Sequence, residues 1–110
     1  MGTRCIAKES LDTTGFSYTL SLINGKYKMT ILYTLMEFEV VRFNEMKKYI
    51  GSISYKTLSA TLKELEADGL VDRTEYPQIP PKVEYRLTER GKSLIPILDG
   101  MCEWGDNNRL

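Results

Sequence analysis

Tyr55, Lys56, Thr57, Ser59, Ala60 and Lys63 lie within sixteen residues, SYKTLSATLKELEADG (54–69), whose spacing suits recognition rather than bond-making. Leu58, Leu62 and Leu65 recur at helical spacing and form one apolar stripe. Lys56, Ala60 and Lys63 fall on the opposite face, flanked by Thr57 and Ser59. That face is small, polar and basic. Short side chains permit close approach to base edges, and lysines meet phosphates, so its chemistry fits a duplex groove. Thr57 and Ala60 suit thymine methyls, and Lys56 suits guanine or a phosphate. Leucines at this spacing also form the core of most helices, and two far-face lysines also fit an ordinary solvated surface. The segments that follow have to decide.

Ser54 stands where an N-cap belongs, because its hydroxyl can accept from a free backbone N–H of the first turn. Gly69 stands where a left-handed C-cap belongs. Leu70–Tyr76 then reads as a strand. Val83, Tyr85 and Leu87 alternate with Glu84 and Arg86 in a second one. Between them, Pro77-Gln78-Ile79-Pro80-Pro81-Lys82 is longer than a tight turn and is stiffened by three prolines. Helix, strand, stiff loop and strand is the order of a winged helix. The wing, 76–83, would rest on the flanking backbone or minor groove, with Lys82 as its cation. Arg73 and Arg42 are candidates for flanking phosphates. Lys26 and Lys28 suit an ordinary surface role equally well.

The elements that must position this face precede and follow it. Residues 1–14 show no periodicity and read as a flexible arm. Phe16, Thr19, Leu20 and Ile23 make a short helix face, and Asn24-Gly25 a turn. A helix is expected over 26–36, burying Met29, Leu32, Leu35 and Met36 with Ile31 on the flank. Glu37–Val41 reads as a turn or very short strand. Asn44 reads as the cap of a third helix whose Met46 and Ile50 face the core and which Gly51 closes. Helix, glycine turn and helix in succession form a helix-turn-helix. Thr88 caps a last helix, with Glu89 favourably placed in its first turn. Leu94, Ile97, Leu98, Met101, Cys102 and Trp104 cover more than one face of it. A terminal helix of so small a domain cannot bury them all, so a second copy of the chain is the expected cover. Pro96 should kink or interrupt it.

At 110 residues the chain is one domain by length, and its formal net charge is zero. The charge is unevenly spread. Residues 24–63 hold seven Lys or Arg against three Glu, a net +4; residues 64–110 hold six against ten, a net −4. One basic and one acidic half fit a domain with a single nucleic-acid face. Histidine is absent, which removes the commonest general base and metal ligand. No phosphate-cradling glycine loop or serine nucleophile elbow occurs. An enzyme is therefore not expected, nor a metal or cofactor. Cys5 and Cys102 have no metal-ligand spacing. No apolar run could span a bilayer, and a cytoplasmic protein with reduced thiols is expected.

The chain resembles the HxlR-type winged helix-turn-helix transcriptional regulators, relatives of the MarR-like regulators. The resemblance lies in LINGKYK (22–28), RFNEMKKYI (42–50), ISYKTLSATLKELEADGLVDR (53–73), YPQIPPKVEYRLTERGKSLIPIL (76–98) and MCEWG (101–105). It implies a mainly α fold with a small β-hairpin wing (α+β) over 15–110. It further implies a bacterial-type homodimer on double-stranded operator DNA, with 54–68 as the recognition helix in the major groove. The family's first and last helices form the dimer interface, which implies Phe16 and Leu20 alongside the residues of 94–104. The size favours a repressor. Family members often carry a cysteine before the first helix, and some sense oxidants with it. That position is Thr14 here. Tyr27 stands where tryptophan is common. Cys5 is left as the redox candidate, while Cys102 reads as a small apolar side chain. A small-molecule or oxidant effector could coexist with DNA binding, in a pocket near Tyr18, Tyr27, Tyr33 and Trp104. The competing readings are a winged helix that contacts protein instead of DNA, and a regulator with thiol-based sensing.

Overall fold

The computed structural model describes residues 10–110. A 3-10 turn (Leu11–Thr13) leads into α1 (Gly15–Ile23), α2 (Lys28–Phe38), β1 (Val41–Arg42), α3 (Phe43–Ile50) and α4 (Tyr55–Ala67). There follow β2 (Val71–Tyr76), β3 (Lys82–Leu87), α5 (Glu89–Lys92) and α6 (Ile95–Asn108). β2 and β3 form an antiparallel hairpin in register from Val71↔Leu87 to Tyr76↔Lys82. β1 adds a two-residue third strand beside β3 at Val41↔Tyr85 and Arg42↔Glu84. This is a winged helix-turn-helix: mainly helical, with a small hairpin wing. No described helix is long and apolar enough to cross a membrane.

One core unites the elements. Ile31, Leu32 and Leu35 of α2, Met46 of α3 and Ile53 meet Leu58, Leu62 and Leu65 of α4. Leu70, Val71, Tyr85, Leu87 and Leu98 complete it. The leucine stripe of α4 is thus fully buried, so its other face must look outward.

Both ends of α4 are locally encoded. Ser54 Oγ accepts from the Thr57 N–H at 3.1 Å and donates to Thr57 Oγ1 at 3.0 Å. At the far end Gly69 takes φ +74°. The Leu70 N–H then reaches the Leu65 carbonyl at 3.0 Å, and the Gly69 N–H the Glu66 carbonyl at 2.9 Å. These two bonds, with buried Leu65 and Leu70, make a Schellman ending. The segment LTERG docks on this turn. Thr88 Oγ1 donates to the Gly69 carbonyl at 2.6 Å and accepts from the Gly91 N–H at 2.9 Å. Arg90 Nε donates to the Asp68 carbonyl at 3.1 Å. Gly91 is needed for space: a Cβ there would collide with the Leu70 carbonyl oxygen and press Leu87 at 3.2 Å.

Several expectations are corrected. Residues 11–13 form an ordered 3-10 turn, and buried Thr14 caps α1 by accepting from the Ser17 N–H at 3.1 Å. The described part of the expected arm therefore has structure, while Cys5 lies outside the described residues. The second helix starts two residues later and ends two residues later than the 26–36 expected. Ile31 is fully buried rather than flanking, because α2 packs against α3, α4 and β3 and has little free side; Met29 and Met36 are only partly buried. Asn44 lies inside α3. The cap is Arg42, whose N–H donates to Glu45 Oε1 at 2.9 Å, so the downstream carboxylate does what an N-cap side chain would do. The last helix is two helices. Pro96 opens the first turn of α6, where its missing N–H removes no helical bond.

Two substitutions test this arrangement in urea unfolding. Gly91→Ala should cost about 1–3 kcal/mol or more by overpacking. Ser54→Ala should cost about 1 kcal/mol by loss of the cap.

Candidate nucleic-acid interface

The outward face of α4 carries exposed Tyr55, Lys56, Thr57, Ala60 and Lys63, with Ser59 half-buried. The helix is electrically divided. Lys56 and Lys63 lie toward its start and middle, and Glu64, Glu66 and Asp68 at its end. A polyanion is therefore met best by the N-terminal half, the half with which recognition helices contact base edges. Lys28 Nζ approaches Glu64 at 3.8 Å across α2 and α4, and Lys26 Nζ lies over the Tyr27 ring at 5.3 Å. Tyr27 also donates to the Ser52 carbonyl at 3.3 Å, so an aromatic anchor is kept at that position.

Beside α4, toward the wing, is a cleft of about 480 Å³. Ser59, Lys63 and Glu66 of α4 line it together with Arg42, Asn44, Arg73 and Tyr85. Arg42 and Arg73, expected at flanking phosphates, and Lys63, expected on the groove face, thus come together from three elements far apart in sequence. Arg73 is held by Glu75 Oε1 at 3.1 Å. The neighbouring Tyr85 hydroxyl, and after it Glu75, raise the Arg73 pKa, so Arg73 is a permanent cation. Burial pushes the Tyr85 phenol above its ordinary value, partly countered by Arg73, so its hydroxyl keeps its proton.

The wing differs from expectation. Lys82 begins β3 rather than ending the loop. Its ammonium lies 3.5 Å from Glu84 Oε2 and 4.6 Å from the centre of the Tyr76 ring. Glu84 also accepts from Arg86 Nη2 at 3.2 Å. The loop tip is apolar, with Ile79 fully exposed. Lys82 can thus serve the base of the wing but not its tip.

Two side chains beside Tyr55, Phe43 and Lys47, escaped the sequence reading. Phe43, in the first turn of α3, stacks on Tyr55 with ring centres 6.1 Å apart and planes 17° apart. Lys47 Nζ stands 5.0 Å from the Tyr55 ring centre. The available signal was that Phe43 and Lys47 are four residues apart and so share a face of α3.

The residues expected at a dimer interface divide into two groups. Phe16 and Leu20 of α1, and Ile97, Met101, Cys102 and Trp104 of α6, are exposed, Trp104 by 69%. Leu98 is only 4% exposed and belongs to the protomer's own core, and Leu94 packs against that core. Both point inward because α6 needs one apolar edge to hold it to the domain. The four aromatic residues expected to gather around an effector do not meet. Tyr18 accepts from Arg90 at 2.7 Å, and Tyr27 is held at Ser52. Tyr33 instead lines an apolar groove with Met29, Leu98, Met101 and Cys102, where Glu37, and then Cys102, raise its phenol pKa.

The model of the HxlR-like helix-turn-helix family matches residues 22–109. The chain belongs to this family. An uncharacterised HTH-type transcriptional regulator of Halalkalibacterium halodurans is 59% identical over 101 residues, covering 92% of this chain and 89% of that one. YdzF of Bacillus subtilis, also an HTH-type transcriptional regulator, is 49% identical over 105 residues, covering 96% and 93%. Among solved structures, the redox regulator HypR in its reduced form superposes with TM-score 0.82 at 46% identity, covering 87% of this chain and 94% of HypR. A MarR-family regulator of Porphyromonas gingivalis W83 superposes with TM-score 0.83 at 31% identity, covering 96% and 100%. This HxlR-like chain is thus similar to regulators along nearly its whole length, reading helix and wing included.

Lys63 and Arg73 line one cleft at the edge of the reading face, a placement that suits phosphate better than a base edge. Lys63→Ala and Arg73→Gln should each weaken binding to any duplex and reduce the slope of log affinity against log salt by about 0.9. A salt series on each variant checks this.

Proposed function

We propose that this DNA-binding transcriptional regulator works as a twofold dimer, with α4 of each protomer in a major groove and the hairpin beside it. The observation that carries the reading is the free outer face of α4 next to the cleft where Arg42, Lys63 and Arg73 converge. Lys56, Thr57, Ser59 and Ala60 form the groove set, with Tyr55 at the start of the helix beside them, and Lys63, Arg42, Arg73 and Lys82 form the phosphate set. Lys56, at the N-terminal end of α4, is the best candidate for a base contact, as a donor to guanine. Ser54 is occupied as a cap and reads no base. The half-sites lie about one helical turn apart (on the order of 10 bp) or a close multiple. Repression suits so small a chain, which acts by occupying its site.

The dimer is supported by apolar surface. No residue of α1 is buried, although it carries Phe16, Tyr18 and Leu20. α6 buries only Leu98 and exposes Ile97, Met101 and Trp104. Monomers rarely leave contiguous apolar faces of this kind uncovered. A protein-contact role for the reading face is disfavoured by its cations, which a protein interface core tends to exclude.

Similarity to HypR raises the question of a thiol switch. Here Thr14 occupies the position of the family's usual cysteine and is committed as the α1 cap. A redox response would have to use Cys102, exposed on α6, or Cys5.

The purified protein should bind DNA from upstream of its own gene tightly and with strong salt dependence, and prefer it to a random duplex. Lys56→Ala should cost roughly 1–3 kcal/mol on that site and less on random DNA. Equal binding by wild type, Lys56→Ala and Lys63→Ala would mean that α4 is oriented otherwise. Trp104→Lys, at an exposed position, should shift the protein from dimer to monomer in light scattering while the fold is retained.

A further inference from the structure

Tyr55 is large, aromatic and 60% exposed, yet it opens the reading helix. The core does not need it, since Ile53 and Leu58 on either side are already buried. Its hydroxyl has no hydrogen-bond partner among the described residues, so the ring rather than the polar tip makes the contacts. Those contacts all go to α3: the stack on Phe43 and the ammonium of Lys47. Between α3 and α4 the backbone turns at Gly51, with φ +79°, and the Phe43–Tyr55 stack ties the first turn of α4 back to the first turn of α3 across that corner. Aromatic stacking and a cation over a ring are each weakly attractive at exposed sites, and together they can bias the orientation of a helix end.

Lys47 has a second reading, as a cation in the last turn of α3 that complements the helix dipole. Its ammonium is instead drawn toward the Tyr55 ring at the start of α4. That end enters the groove in the arrangement proposed above, on which this inference rests. A phosphate flanking the groove would be met there.

We propose that Tyr55 is a positioning residue rather than a base reader. Its ring fixes the α3–α4 corner and presents Lys47 as an additional backbone-phosphate contact. The test uses the full chain, the upstream duplex and a salt series. Tyr55→Phe binds like wild type, because the ring suffices. Tyr55→Ala loses about tenfold in affinity for the upstream site, or about 1.4 kcal/mol, while the protein stays folded at the assay temperature with only a small drop in thermal midpoint. Lys47→Gln lowers the salt slope by about 0.9, and by less when combined with Tyr55→Ala. Wild-type affinity in Tyr55→Ala, or a wild-type slope in Lys47→Gln, overturns the inference while leaving DNA binding intact. If Tyr55→Ala does not fold, the slope of Lys47→Gln decides alone. Failure of the wild-type protein to bind duplex at low salt overturns this inference together with the reading beneath it.

Discussion

The clamp at Gly69 and Leu70 is the constraint on which the rest depends. The Schellman turn ends α4, the hydroxyl of Thr88 takes the Gly69 carbonyl, and Gly91 lets α5 lie against the Leu70 backbone. One short stretch therefore sets the directions of the reading helix, the hairpin and the C-terminal helices together. Were this junction loose, the leucine stripe could still bury, but the angle between α4 and the wing would not be defined. Recognition of a rigid duplex needs that angle, since contacts misplaced by about an ångström lose most of their value.

Electrostatics around α4 are local rather than global. A neutral protein gains little from long-range attraction to DNA, so affinity has to come from cations brought together by the fold. The sheet supplies Arg73 and Arg42 to the same cleft as Lys63 of the helix. The neighbouring carboxylates Glu75 and Glu84 hold Arg73 and Lys82 in extended poses without neutralising the site, since such partly exposed pairs are weak. A phosphate can replace them as partner. The carboxylates toward the end of α4 oppose this attraction, and one of them, Glu66, lines the same cleft.

Much of this was legible in the sequence because the signals are local. Ser54, Gly69 and Thr88 encode their caps through bonds with Thr57, Glu66 and Gly91, each three positions away, while the bond from Thr88 to the Gly69 carbonyl is long-range; Leu58, Leu62 and Leu65 declare the buried side of α4. What was not legible depends on partners distant in sequence. Ile31 is buried because three elements enclose α2. Leu98 turns inward because α6 must attach somewhere. Lys82, expected to end the loop, instead begins β3 beside Glu84 and Tyr76, and the Phe43–Tyr55 stack forms across a turn. Asn44 was misread for a subtler reason: Glu45 can satisfy the first N–H from inside the helix, so the best capping residue nearby was not needed.

The central claim is that two copies of α4 enter successive major grooves on one side of the duplex. Methylation interference at guanine N7, a major-groove atom, on the upstream binding site tests it most directly. The account predicts two clusters of interfering guanines, related by twofold symmetry and separated by about one helical turn (on the order of 10 bp) or a close multiple. A single cluster, or strong binding that guanine methylation does not disturb, would contradict it.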